Sequence, residues 1–137
     1  MKIFRAFIAI AIVFTVIDIA WISLYLGDVY DAQLSSIMRS NPLVAPAVMF
    51  YVGYIAAIIF FAVRPALADG KMAIALMNGA VLGAVAYGTY TLTNHAILSE
   101  WAWHLVISDI LWGTALTAIC GACGYLAARP PAREANA

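Results

Sequence analysis

The sequence predicts an all-α integral membrane protein: a bundle of four membrane-crossing helices with a short interfacial helix on the outer side. Three observations carry this expectation. Of the 137 residues, 66% are apolar and 10% charged, whereas a soluble domain is roughly half apolar and a quarter charged. Four apolar runs, at about 6–26, 43–63, 72–93 and 101–128, each reach the ~20 residues that cross ~30 Å of hydrocarbon. The basic residues flanking the runs are unevenly shared. With four crossings, Lys2, Arg5, Arg64, Lys71, Arg129 and Arg133 fall on one side and only Arg39 on the other. Short basic flanks stay inside, so both termini are expected in the cytoplasm. The chain then reads as one domain, 1–128, with a cytoplasmic tail, 129–137, in a bacterial-type inner (plasma) membrane. A net charge of zero offers nothing to nucleic acid.

The first run follows Lys2 and Arg5, as a signal peptide would. It is too long for a typical apolar signal core, carries Asp18 and lacks a small-x-small cleavage site, so it reads as a retained helix. Asp28 to Asn41 follows outside. Tyr30, Leu34, Ile37 and Met38 repeat there at helical spacing between Asp31, Ser35 and Arg39. That pattern suits a short amphipathic helix lying on the interface; an ordinary polar loop is the alternative.

Asn41-Pro42 is a helix start, a capping residue followed by a proline whose missing N–H costs nothing in the first turn. Helix two runs inward and is expected to end at Arg64-Pro65, with a tight inner loop over residues 66–70. Helix three carries Gly79 and Gly83, a small-xxx-small pair that lets another helix backbone come close. Such a face also offers a route to a homo-oligomer. The helix is expected to end near Asn94. Glu100, Trp101 and Trp103 open helix four; an acid suits the positive helix end and indoles suit the interface belt.

The polar residues inside the runs share one depth. Asp18, Tyr51, Tyr87 and Asp109 each lie six to eight residues below the outer end of their run, or roughly 9–12 Å at 1.5 Å per residue. Tyr87-Gly88-Thr89-Tyr90-Thr91-Leu92-Thr93-Asn94 crowds hydroxyls and an amide into the outer end of the third run. Carboxylates are costly in hydrocarbon and normally face the bundle interior or water. The expected result is one outer-leaflet pocket of Asp18, Trp21, Tyr51, Tyr54, Tyr87, Tyr90, Asn94, Asp109 and Trp112. In Asp18-x-x-Trp21 and Asp109-x-x-Trp112 the acid and the indole share a helix face. If the two acids converge they cannot both ionise cheaply. The alternative is that they only cross-link helices through hydrogen bonds.

Other signals are weak. Cys120-x-x-Cys123 has redox spacing but lies toward the cytoplasmic end of a span, where packing cysteines are expected. His95, Glu100 and His104 follow no metal-binding pattern, and no metal or cofactor is expected.

These residues resemble the small four-span membrane proteins of domain-of-unknown-function family 2177. The resemblance covers nearly the whole chain. It rests on Asp18-x-x-Trp21, Phe50-Tyr51-x-x-Tyr54, Pro65-Ala66, Gly79 to Gly83, Tyr87 to Asn94, Trp101 and Asp109-x-x-Trp112-Gly113. The family pattern more often reads Tyr-Asp-Leu-Thr-Asn, and Thr91 stands here in the Asp place. The resemblance implies architecture and a pocket, and no activity. A four-span chain with an acid in its first span is also similar to small multidrug transporters, which lack the second Asp-x-x-Trp and the Tyr-rich third span. Three functions stay open: an uncharacterised membrane protein that binds or transports a small amphiphile or lipid; a membrane enzyme acting on a lipid or isoprenoid with the Asp pair as acid and base; and an accessory or structural subunit.

Overall fold

The computed structural model describes residues 1–130. They form four long helices: α1 (Lys2–Leu34), α2 (Val44–Asp69), α3 (Met72–Ile97) and α4 (Trp103–Ala128), each long and apolar enough to cross a membrane. There is no strand among the described residues.

Helix α4 is the centre of the bundle. Half of its most apolar stretch is buried inside the protein, against 22% or less for the other three helices. Its main partner is α3, followed by α1, while α2 touches it chiefly through its C-terminal half. The α3–α4 contact is a zipper of small residues. Ala75, Gly79 and Gly83 on α3 are buried against Gly113, Thr117 and Gly121 on α4. A Cβ built on Gly79 would lie 2.6 Å from the Thr117 carbonyl oxygen, and one on Gly121 would lie 2.7 Å from that of Ala75. One on Gly83 would overlap the Gly113 carbonyl. Without Cβ atoms the two backbones meet, which van der Waals packing rewards in lipid. Gly79 and Gly83, expected as a route to a homo-oligomer, pack here against the chain's own α4.

Helix α1 buries Ala6, Ile10, Phe14 and Asp18, one residue every fourth position. That stripe drifts around a helix of 3.6 residues per turn. A π-helical turn at Ile22–Leu26 takes back part of the drift, so Leu34 is still buried. The segment expected to lie as a separate interfacial helix is therefore different in the structure. Gly27–Leu34 is helical but continues α1, because Leu34 finds a buried seat with Trp101, Leu105 and Val106.

Helix α2 also departs from expectation. It starts at Val44 and does not end at Pro65 but continues to Asp69. A proline inside a helix removes one N–H and strands the carbonyl four residues earlier. Here that carbonyl belongs to Phe61, inside a π-helical turn at Ile59–Val63, and it accepts a hydrogen bond from Asn78 Nδ2 of α3 at 2.9 Å. The neighbouring helix supplies the missing donor, so the helix survives its proline. The turn then comes at Gly70, whose φ of 67° is a left-handed conformation that glycine adopts without strain. Of the segment expected as a cytoplasmic tail, Arg129 and Pro130 follow α4; residues 131–137 lie outside the described residues.

Candidate functional site

The two Asp-x-x-Trp fragments meet. Asp18 sits at the end of the buried stripe of α1, where the register puts it against α2 and α4. Its Oδ2 accepts the Tyr51 hydroxyl proton of α2 at 2.5 Å, and its Oδ1 faces the Trp112 indole N–H of α4 at 3.4 Å. Trp21 and Trp112 stack with ring centroids 4.3 Å apart and planes 10° apart. Offset aromatic pairs of this kind add about 0.5–1.5 kcal/mol beyond their buried area. Tyr25 extends the stack from Trp21 at 4.5 Å.

Asp109 is placed differently. It is 4% exposed, the Thr91 side chain lies beside it, and its Oδ2 has no hydrogen-bond partner among the described residues. Buried acceptors are normally satisfied, and an orphan needs an explanation. Both acids line one cavity of about 150 Å³, together with Trp21, Ile22, Leu26, Tyr30, Tyr87, Tyr90 and Trp112. Tyr87 is fixed over Gly113, where a Cβ would overlap its ring. No lysine or arginine among the described residues lines this cavity.

Of the nine expected site residues, six line the cavity: Asp18, Trp21, Tyr87, Tyr90, Asp109 and Trp112. Tyr51 joins through its bond to Asp18. Tyr54 does not. It is buried in the core, and its hydroxyl pairs with Thr117 Oγ1 at 2.9 Å. Asn94 is half-buried one turn beyond Tyr90 and lines no part of the cavity. Tyr54→Phe is accordingly expected to lower stability by about 1 kcal/mol, the net worth of one buried hydrogen bond, and to leave ligand retention unchanged. A denaturation midpoint and a retention assay on the same sample check both halves.

Three cavity residues escaped sequence reading: Ile22, Leu26 and Tyr30. Ile22 and Leu26 belong to the π-helical turn of α1, and Tyr30 enters because α1 continues past it. Thr91, at the place where the family resemblance expects Asp, is fully buried and accepts the Trp101 indole N–H at 2.9 Å. Trp101 is therefore not an interface-belt residue. It is 3% exposed and packs with Leu34, Leu105 and Val106, with Tyr30 and Tyr90 against its ring. This apolar plug lies at the end of the bundle that holds the α1 C-terminus and the α4 N-terminus.

The remaining signals fall elsewhere. His95 Nδ1 is hydrogen-bonded to the Trp101 carbonyl, and Gln33 Nε2 lies 2.9 Å from His104 Nε2, so the two histidines serve separate contacts. Cys120 and Cys123 are free thiols, and Cys120 belongs to the main core.

No curated protein and no solved structure matches the chain. Residues 3–126 match the family described as "Predicted membrane protein (DUF2177)". That match spans all four helices and both Asp-x-x-Trp fragments, and the chain belongs to this family of membrane proteins.

Proposed function

We propose that the protein binds a small amphiphile whose polar head occupies the acid cavity between α1, α3 and α4. One observation carries this reading: the buried Asp109 carboxyl has an oxygen with no partner among the described residues, and Asp109 lines a cavity walled by aromatic rings. A ligand donor would satisfy that oxygen. Aromatic walls with a few converging polar groups are what small-molecule sites present. Intramembrane acids normally mark sites rather than packing. Asp18, already satisfied by Tyr51 and Trp112, would hold the Trp21–Trp112 wall in place while Asp109 meets the ligand.

The test is native mass spectrometry of gently extracted wild type, Asp18→Asn and Asp109→Asn. Wild type is expected to carry a co-purified amphiphile, and Asp109→Asn to lose it while remaining folded. Equal ligand content in all three would overturn the reading and leave the acids as helix cross-links. Co-purified protein instead of amphiphile would point to an accessory subunit.

The cavity would lie in the outer leaflet of an inner membrane, with both termini cytoplasmic. The six-to-one bias of Lys and Arg supports this orientation. A fluorescent protein fused to the C-terminus is expected to glow, and alkaline phosphatase fused at the same place to stay inactive. The reverse pair of results would invert the topology.

A further inference from the structure

The acid cavity has an apolar neighbour. A groove of about 310 Å³ lies between the outer half of α2 and α3, lined by Phe50, Ala86, Tyr87 and Tyr90. Tyr87 and Tyr90 line the acid cavity as well, so two tyrosines form the wall shared by both spaces. Helix α2 stands apart from the bundle at this level. Every residue from 44 to 50 is exposed, and Phe50 and Tyr90 are 52% and 50% exposed. These positions belong to membrane-crossing helices, so their exposed surface faces hydrocarbon. The outward route is different: Leu34, Trp101, Leu105 and Val106 fill it with buried apolar side chains. A molecule that reaches Asp109 comes from the side, out of the bilayer.

We infer that the occupant is a single-chain amphiphile with an amine head. Its tail lies in the α2–α3 groove, and its ammonium passes between Tyr87 and Tyr90 to the Asp109 carboxyl. This rests on the amphiphile reading above and adds the chemistry of the head and the side of access. Charge decides the head. Two carboxyls line the cavity and no lysine or arginine among the described residues lines either space. An ammonium balances them and donates to the orphaned Oδ2, whereas a phosphate or carboxylate head would be repelled. The Tyr87 and Tyr90 rings line both spaces, and aromatic rings attract a cation rather than an anion. Size agrees, since about 150 Å³ is less than the ~300 Å³ at which pockets for drug-sized ligands begin. It holds a small head and leaves the tail outside, in the groove.

The test uses the full chain in nanodiscs of zwitterionic phospholipid. The probe is dodecylamine carrying a photoreactive diazirine in mid-chain. On illumination the label is expected on the α2 and α3 peptides containing Phe50, Ala86 and Tyr90. Asp109→Asn should reduce that labelling about tenfold, the effect of losing one charge-assisted bond of roughly 1.4 kcal/mol. Unlabelled dodecylamine should compete and dodecyl phosphate should not. Ala86→Leu, which leaves the acid cavity intact and narrows the groove, should also reduce labelling while the protein remains folded. If dodecylamine is retained in an Asp109-dependent way but labels other helices, the groove is overturned and the amphiphile reading stands. If dodecyl phosphate competes equally, the amine head is overturned. If no alkyl probe, dodecanol included, shows Asp109-dependent retention, both inferences fall together.

Discussion

Gly83→Ala should push α3 away from α4 and strongly destabilise the folded bundle. A single methyl group at this position would overlap the Gly113 carbonyl and lie 2.8 Å from Thr117 Oγ1. The obstacle is backbone on the central helix, not the end of a flexible side chain, so it cannot swing aside. Overpacking in a dense interior costs about 1–3 kcal/mol and sometimes more, and membrane helices held by close contact have little else to replace it. We expect a loss of about 3 kcal/mol in denaturant titration of the purified protein. Gly53→Ala is the control. A methyl group there meets nothing within 4 Å, and alanine in a helix interior is favoured over glycine by about 0.5–1 kcal/mol. The two substitutions therefore have opposite expected signs. Equal stability in both would mean that the α3–α4 backbones do not touch.

The second large effect separates the two acids. Asp18 is satisfied and Asp109 is not. Asp18→Asn puts an amide NH2 where one of the two acceptor oxygens stood, so one donor loses its partner, which should cost about 1–2 kcal/mol. Asp109→Asn relieves a buried carboxyl with an orphaned oxygen, so stability should stay level or rise by about 1–3 kcal/mol. Ligand retention should fall about tenfold, as when one charge-assisted bond of roughly 1.4 kcal/mol is lost. A variant that is more stable and less able to bind is the signature of a site held ready for a ligand. The measurement is a pair of denaturation midpoints beside a retention assay. Should Asp109→Asn destabilise as much as Asp18→Asn, Asp109 is a cross-link and the site reading fails.

Several features of this molecule were legible in residue order. The four apolar runs could only be helices, because lipid offers no partner for a bare backbone. The shared depth of Asp18 and Asp109 placed them in one layer, since each is fixed by its count along a helix of constant rise. The pairing of each acid with a tryptophan three residues on followed from the same geometry. Six of the nine expected pocket residues line the cavity for these reasons.

What the sequence could not decide lies between helices. Depth says nothing about rotation, so Tyr54 shared the level of the site yet turned to Thr117 in the core. Pro65 looked like a helix end because its rescue, Asn78 on α3, is thirteen residues away in sequence and adjacent only in space. The small-residue face of α3 was readable, but its partner was not, and the structure makes it the chain's own α4. Trp101 and Tyr30 read as interface residues until the extension of α1 folded over them. Length, helix content and the depth of each polar group are local properties of a chain in lipid, so the sequence alone determined them. Which faces meet, which carboxyl is left without a partner and which route to it stays open depend on packing among four helices, and only the tertiary structure decided them.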